Sequence, residues 1–276
     1  GIDCMKNELK LFEDSQIRTA WDGEKEEWYF SIVDVVGVLT ESPNPNNYWK
    51  VLKKRLKDEG NQSVTTCNQL KLKSPKDGKH YLTDVADTEQ LLRIIQSIPS
   101  PKAEPFKMWL AEVGNDRINE IADPEKTIQR AYDTYRKKGY SEEWINQRMK
   151  TIEMRKELTD EWQRSGVKQG KEYAILTNEI SQAWSGMTTK EYKNFKGLKK
   201  ENLRDNMSNL ELVLNMLAEV STTEISRGSN PQGFEESKKV ARQGGNVARN
   251  AREEIEKQSG KSAITSKTAK DSDQIE

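Results

Sequence analysis

The sequence predicts an α+β N-terminal domain built on small antiparallel hairpins, followed by an all-α region. Every strand-like segment lies at or before Tyr81-Leu82, whereas capped helical patterns dominate the rest of the chain. Of the 276 residues, 33% are apolar and another 33% are charged, a composition that favours modest cores and long solvated helices. We therefore expect one domain over residues 12–120, a helical domain over 121–226, and a basic helical segment with a flexible tail over 227–276.

The first hairpin turns at Asp22-Gly23, between a strand at residues 17–21 and an aromatic strand at 27–30. Ser31 follows as a helix cap, and Asp34 stands three residues later, at the position where a capping box places Glu. The helix after Ser31 has apolar residues at helical spacing, which should form its buried stripe: Ile32, Val35, Val36 and Leu39.

A second helix and a second hairpin follow the proline-containing segment 42–47, which ends the first helix. The second helix runs from Tyr48 to Leu56 and carries lysines opposite its apolar side. The hairpin closes around residues 75–78, and leucine alternates with lysine in its first strand, as expected for a half-buried strand. Helices from about Asp84 to Ile98 and from Pro101 to Ile118 complete the domain.

Asp34 and Asp84 fall in the first turns of predicted helices. A carboxylate in that position accepts backbone N–H bonds and meets the positive end of the helix dipole. We therefore expect both residues to be structural caps rather than catalytic acids.

The second half of the chain contains strong helix starts and no convincing strand. Asp123-Pro124-Glu125 combines a cap, a first-turn proline and an acid, and Thr188 to Glu191 forms a full capping box. The helix between Leu203 and Ile225 is the most apolar and should centre the second core. A loop at 227–233 then precedes a helix that we expect to break at Gly244-Gly245 and to end in a frayed tail. Tryptophans at helical positions with apolar neighbours are expected in the core: Trp144, Trp162 and Trp184.

Charge is unevenly distributed, although the chain is neutral overall. From Arg227 to Lys270 there are ten Lys/Arg and five Asp/Glu, a net charge of +5, so the remainder carries −5. A basic end on a neutral protein predicts either a polyanion contact or a solvated, disordered tail.

Composition also bears on where the protein resides. No segment approaches the ~20 consecutive apolar residues of a membrane span. The residues Gly1 to Cys4, before Met5, have the character of an expression remnant, which leaves Cys67 as the one native cysteine. A lone cysteine excludes an internal disulfide framework and predicts a reducing, cytoplasmic location.

The sequence offers little material for an enzyme active site, and we predict no catalytic residue, metal or cofactor. His80 is the only histidine, so a histidine-rich metal site or a Ser-His-acid triad has little to draw on. A Cys67–His80 nucleophile pair is conceivable, but a single histidine beside a hairpin turn is more often structural. Glu191-Tyr192-Lys193 has the Glu-x-Lys spacing of some nucleases, yet it lies on a predicted helix, whereas those nucleases present it on a strand.

Three basic clusters are candidate nucleic-acid contacts, because lysine and arginine neutralise phosphates. The first is a helix face beside a ring that could stack on an unpaired base: Trp49, Lys50, Lys53, Lys54 and Lys57. The second is the second hairpin, a two-stranded ribbon of the kind that the DNA major groove admits: Lys71, Lys73, Lys76 and Lys79. The third surrounds the paired glycines, where a phosphate could approach the backbone: Lys238, Lys239, Arg242, Arg249 and Arg252.

Each cluster also has an ordinary structural explanation, and the sequence leaves both explanations open. The helix face can be a solvated surface with Trp49 in the core. Lysines on an edge strand can prevent pairing with other chains. The third cluster can be the exposed side of a C-terminal helix that glycine interrupts.

Two stretches, residues 28–39 and 81–110, together resemble the Bro-N domain of baculoviral repeated-ORF proteins and phage antirepressors. Similarity extends over about residues 12–118 and is specific as a combination of features. The first feature is an aromatic strand that runs into an Asp-Val helix, here Trp28-Tyr29-Phe30 and Asp34-Val35. A Leu-Thr-acid step, Leu82-Thr83-Asp84, and a Leu-rich helix with Leu91-Leu92 follow. The last is an Ala-x-x-Phe-x-x-Trp pattern, formed by Ala103, Phe106 and Trp109.

The rest of the chain resembles the DNA-damage-inducible protein D (DinD) family, through segments at residues 139–145, 175–180, 202–205 and 244–252. Bro-N proteins are associated with DNA binding and phage gene regulation, and DinD relatives with the SOS response and the recombinase filament. The resemblance therefore implies a non-enzymatic, DNA-damage-inducible or prophage-derived protein. Its implied partners are single- or double-stranded DNA, a RecA-type recombinase filament or a phage repressor. An antirepressor that inactivates its partner without touching DNA is the alternative.

Overall fold

The structure is a computed structural model that describes residues 16–62, 67–269 and 271. The chain divides into two compact units between Thr127 and Ile128. The segment Gly1 to Cys4, interpreted above as an expression remnant, lies outside the described residues, as does the end of the predicted tail at 272–276.

The first unit contains a four-stranded antiparallel sheet in the order β1-β2-β4-β3. Its strands are β1 (Thr19–Asp22), β2 (Glu27–Ser31), β3 (Asn68–Lys73) and β4 (His80–Ala86). Each predicted hairpin is confirmed, since β1 pairs with β2 and β3 pairs with β4. The hairpins join through a short ladder of Phe30 with Ala86 and Ser31 with Val85.

Four helices of the described residues accompany this sheet in the first unit: α1 (Ile32–Thr40), α2 (Pro45–Asp58), α3 (Thr88–Gln96) and α4 (Glu104–Ala122). Ser31 caps α1 as predicted, since its Oγ accepts the N–H of Asp34. Asn44 caps α2, with Pro45 in the first turn. The core lies between the helices and the sheet, and its buried members include Phe30, Ile32, Trp49, Leu56, Leu91, Ile94, Ile95 and Phe106.

The helix α3 begins later than the sequence predicted. Pairing with β3 runs from His80 to Val85, so Asp84 belongs to a strand. Asp87 is the actual cap, and it forms a reciprocal capping box with Gln90. The prediction that Asp84 is a helix cap is therefore wrong, because the strand ladder continues through that position.

The second unit is all-helical, and residues 125–260, all of which are described, contain no strand, as predicted. Its helices are α5 (Glu125–Lys137), α6 (Glu142–Arg164), α7 (Lys171–Ser185), α8 (Thr189–Phe195), α9 (Asn209–Ser229) and α10 (Gly233–Ser259). The predicted starts at Ser141 and Thr188 are confirmed. Trp144, Trp162 and Trp184 are fully buried, which confirms their place in the core.

Two predictions about the C-terminal part are corrected. The boundary expected after residue 226 falls inside α9, and α10 packs on α9 and α7 as part of the second unit. The expected break at Gly244-Gly245 is absent, since α10 is continuous. Both glycines face inward, where a side chain would collide with Thr222 of α9 or with Ala183 of α7. Close helix packing therefore explains the glycines.

Part of the expected frayed tail is also docked. Lys196 Nζ donates to the backbone oxygens of Thr265 and Lys267 at 2.7 and 2.8 Å. The N–H of Ala263 bonds Glu256, and the Ala263 side chain is buried. Specific polar contacts, which composition does not reveal, hold residues 261–269 against the helical unit.

Candidate nucleic-acid interface

The helix α2 is amphipathic in the way that the sequence predicts. Trp49, Leu52 and Leu56 are buried, whereas Lys50, Lys54 and Lys57 are exposed. Residues three and four apart are neighbours on a helix surface. The exposed lysines therefore form one continuous row along α2, and Asn46 precedes this row by one turn.

Trp49 is not available for stacking, which corrects its place in the first cluster. Its side chain is only 4% exposed, and its Nε1 donates a 2.8 Å hydrogen bond to Asp84 Oδ2. The ring packs into the core because it completes the apolar stripe of α2. A base could reach it only if the core opened.

Asp84 is the point where the first two basic clusters meet. Lys53 Nζ of α2 lies 3.1 Å from its Oδ2, and Gln69 Nε2 of β3 lies 2.8 Å from its Oδ1. Burial alone would raise the pKa of Asp84, but hydrogen bonds from Trp49, Gln69 and Lys53 outweigh it and hold this pKa below its ordinary value. A carboxylate that is charged at neutral pH thus joins α2 to the second hairpin.

Asp34 also has a role different from the predicted cap. It does lie in the first turn of α1, but its carboxylate binds the Arg18 side chain through two oxygens, at 2.7 Å to Nε and 3.0 Å to the terminal nitrogen. The N–H of Arg18 bonds Asp34 as well. Arg18 in turn donates to the backbone oxygen of Lys73, so this pair ties the second hairpin to α1.

A cleft of about 490 Å³ lies between α2 and the second hairpin. Asn46 and Trp49 of α2 line one side, and Lys76 of the turn and Tyr81 and Leu82 of β4 line another. Tyr81 and Leu82 are 50% and 62% exposed. The cleft therefore combines an exposed apolar side chain, Leu82, with a cation and an amide.

The hairpin lysines have no acidic partners among the described residues, and one of them, Lys76, lines the cleft. Lys71, Lys73, Lys76 and Lys79 are all exposed. In the part of the chain that the structure describes, none of these four and none of Lys50, Lys54 and Lys57 takes part in an ion pair. Their charges remain available to an external anion.

The third cluster differs in this respect. Lys238 and Arg242 share Glu179, Arg249 pairs with Glu253, and Arg252 bonds both Glu256 and the backbone oxygen of Trp184. With six Lys/Arg and five Asp/Glu, α10 has a net charge of only +1. Because the two glycines are buried, no phosphate can approach the backbone there, which corrects the predicted reason for the cluster.

The residues considered for catalysis are not assembled. Cys67 precedes β3, while His80 opens β4 opposite Lys73, so the length of a six-residue strand, about 20 Å, separates them. Burial raises the pKa of the Cys67 thiol, which lowers its thiolate fraction. Glu191 and Lys193 lie on the helix α8, as predicted. The described residues bring together no group of three or more His, Cys, Asp or Glu able to hold a metal.

Sequence reasoning missed three residues of the cleft: Arg18, Asn46 and Tyr81. Strand alternation places the Tyr81 side chain with Leu72, on the sheet face opposite Asp84, and so does not predict its position at the cleft. Arg18 and Asn46 offered no signal either, since their placement depends on contacts with distant segments.

We expect Asp84→Asn to lower the free energy of unfolding by about 2 kcal/mol at neutral pH, because hydrogen bonds to a charged group contribute about 1.5–3 kcal/mol. The folded pKa lies below the ordinary 3.8, so this stability is present above that value and is lost as pH falls through the folded pKa. Urea unfolding of both proteins from pH 7 to pH 3 measures the difference, which should shrink in the acid range. Asp58→Asn, at an exposed position of α2, is the matched control and should stay within ~0.5 kcal/mol. A difference in unfolding free energy between wild type and Asp84→Asn that does not change with pH would contradict a stabilising role for the Asp84 charge.

Two family models match the chain. A model of the BRO family N-terminal domain matches residues 16–115, and a model of the DinD C-terminal domain matches residues 140–272. Nothing among the curated proteins matches it. These domains support a phage antirepressor-like or DNA-damage-inducible protein, and neither family is known for enzymes. Among the described residues, no helix has the length and apolar character needed to cross a bilayer.

Proposed function

This chain belongs to the DinD family and carries a BRO-family N-terminal domain, and on that premise we propose that it is a non-enzymatic protein that binds DNA through its first unit. The contact surface consists of the α2 lysine row and the second hairpin. DNA damage or a prophage programme is the setting that the two families suggest. A DNA-bound recombinase filament is then reached through the same DNA contact.

One observation carries this proposal: seven lysines on two elements that meet at Asp84 have no ion pair within the described residues. The helix α2 has five Lys/Arg and one Asp, a net charge of +4. The span from β3 to β4 has four lysines and two aspartates, a net charge of +2. On a chain with no net charge, this concentration creates a local positive field that attracts phosphate.

We expect the triple substitution Lys50→Gln, Lys54→Gln and Lys57→Gln to weaken DNA binding and to flatten its salt dependence. Each phosphate contact contributes roughly 0.7 to the slope of log affinity against log salt on single strands, and roughly 0.9 on duplexes. Loss of three contacts should therefore reduce the slope by roughly two on single strands. Fluorescence anisotropy with plain oligonucleotides over a salt series measures it.

The matched control removes the same charge from the second unit by Lys239→Gln, Arg242→Gln and Arg249→Gln. All three positions are exposed on α10, so the fold should persist, and affinity and slope should equal those of the wild type. A flattened slope in this control and not in the α2 variant would move the contact to the third cluster and overturn the assignment to the first unit.

A second candidate function is an antirepressor that acts through a protein contact. It is favoured by the apolar side chains that α4 leaves exposed, which are Met108, Val113, Ile118 and Ile121. Exposed apolar residues grouped on one helix are typical of a surface that binds another protein. This candidate predicts no salt-dependent DNA binding by the wild type, so the same salt series separates the two functions.

A further inference from the structure

We propose that the outer edge of β3 binds an extended segment of a partner protein in which acidic and apolar residues alternate. The bound segment adds a strand to the sheet. In this mode of recognition, backbone hydrogen bonds supply affinity and contacts to alternate side chains supply specificity. The inference goes beyond the proposed DNA binding and does not depend on it.

The outer edge of β3 carries backbone groups that the sheet leaves unused. Among the described strands, β3 pairs with β4 alone, and the N–H of Ser74 bonds the oxygen of Lys79 where this ladder meets the turn. Hydrogen-bonded and non-hydrogen-bonded pairs alternate in an antiparallel ladder, so the N–H and C=O groups of Lys73 and Lys71 point away from β4. Arg18 bonds the oxygen of Lys73, but no described residue bonds the outward groups of Lys71. A further strand can therefore pair there.

An apolar groove runs beside this edge. The side chains of Leu70 and Leu72 point to the sheet face opposite that of Lys71, because side chains alternate along a strand. Together with Ala20 of β1 and Tyr29 of β2, these leucines line a groove of about 450 Å³. Both leucines are only partly buried. An added strand can therefore bury apolar side chains in the groove when it pairs with β3.

The other face of β3 selects the charge of the added strand. Lys71 and Lys73 are exposed there, without an ion pair among the described residues. Opposite charges that face each other across a strand pair are stabilising, and like charges are destabilising. An acid is thus favoured at every second position of the partner. Asp22, on the far side of the groove, already accepts the N–H groups of Glu24 and Lys25 in its own turn.

The same lysines disfavour other occupants of the edge. A second copy of β3 would bring Lys71 and Lys73 against lysines of its own kind, which is destabilising. Lysines on an edge strand also commonly prevent pairing with unrelated chains. For an acidic strand the repulsion becomes attraction, so charge alone discriminates between partners.

The first test measures fluorescence anisotropy of a labelled peptide, as long as β3, in which glutamate and valine alternate. It compares wild type, Lys71→Pro and Lys71→Gln. Proline is tolerated on an edge strand where the N–H faces outward, so the ladder with β4 should persist, and thermal unfolding checks this. Both variants lose the same charge, but only proline also removes the outward N–H. Lys71→Pro should bind the peptide roughly 3- to 10-fold more weakly than Lys71→Gln, the effect of one lost hydrogen bond.

The second test leaves the protein unchanged and modifies the peptide. One peptide is N-methylated at its glutamates and another at its valines. Only one of these two sets of N–H groups can face β3, so one peptide should lose binding and the other should keep it. A peptide with lysine in place of glutamate should not bind. Hydrogen exchange at the N–H of Lys71 should become slower when the unmodified peptide is bound.

Three results would overturn the inference: no binding of the glutamate–valine peptide by wild type, equal tolerance of the two methylation patterns, or equal affinity of the folded proline and glutamine variants. If Lys71→Pro does not fold, the methylated peptides decide. DNA binding by the same variants separates the two proposals, since the loss of one charge should weaken it equally in Lys71→Pro and Lys71→Gln. Peptide binding without any DNA binding by wild type would refute the proposed function alone.

Discussion

Lys196→Met should destabilise the second unit by about 3–5 kcal/mol, the cost typical of removing one partner from a buried ion pair. Lys196 Nζ lies 3.0 Å from Glu211 Oε1, and both side chains are fully buried. Tyr192 donates a short hydrogen bond to the other oxygen of Glu211. The substitution leaves a buried carboxylate without its cation. Chemical denaturation at neutral pH measures the loss.

The same substitution should also release the docked segment 261–269, because Lys196 binds its carbonyl groups. Hydrogen exchange at the amides of Ala263 and Ala269, which bond Glu256 and Asn206, should become faster. Lys156→Met is the matched control, because Lys156 forms an exposed pair with Asp160 and such pairs contribute ~0.5 kcal/mol or less. Similar small losses in both variants would show that the Lys196 pair does not stabilise the unit.

Gly244→Ala should lower the free energy of unfolding by about 2 kcal/mol or more. Overpacking costs about 3 kcal/mol when the neighbouring atoms cannot move away. The higher helix propensity of alanine offsets only about 1 kcal/mol of that cost. A Cβ at this position would stand 2.6 Å from both Cα and N of Thr222. These are backbone atoms of α9, so relief requires the two helices to separate. Urea unfolding of the intact protein gives the value.

The control for this prediction is Gly114→Ala in α4, where an added Cβ meets nothing within 4 Å. There the propensity gain acts alone, and stability should rise by about 0.5–1 kcal/mol. We therefore expect the alanine substitution to destabilise the protein at Gly244 and to stabilise it at Gly114. A neutral or stabilising Gly244→Ala would contradict the close contact between α9 and α10.

The glycine contacts also determine how the C-terminal cluster should be tested. Deletion of α10 would remove Ala241 and Ala248 from the second core and would expose the faces of α9 and α7 on which α10 packs. A truncated chain would then lose its fold together with its charges, and weaker DNA binding would have two explanations. Substitution of exposed residues of α10 removes charge and exposed ion pairs but leaves the buried contacts in place, so the triple substitution in α10 is the sounder control for the α2 lysines.

The separation of the basic clusters into paired and unpaired charges is a property of the fold. Both α2 and α10 carry five or six lysines and arginines along the chain. The difference arises because Glu179 of α7 lies beside α10, whereas in the described chain no acid pairs with Lys50, Lys54 or Lys57. Only the unpaired group can contribute its full charge to an external phosphate.

The sequence alone was sufficient to predict the fold class of each half of the chain, both hairpins and most of the helix starts. These features depend on turn residues and on side chain to backbone bonds between near neighbours, such as Ser31 with Asp34 or Thr188 with Glu191. Local chemistry therefore suffices to predict them.

The burial of Trp49, the role of Asp84 and the pairing of Arg242 became visible only in the folded chain. Trp49 and Asp84 are 35 residues apart in the chain, and Arg242 and Glu179 are 63 apart. No periodicity or spacing encodes which distant segment will supply a partner. Packing determines it, because a ring or a charge is stabilised by whichever group the assembled core places within hydrogen-bonding distance.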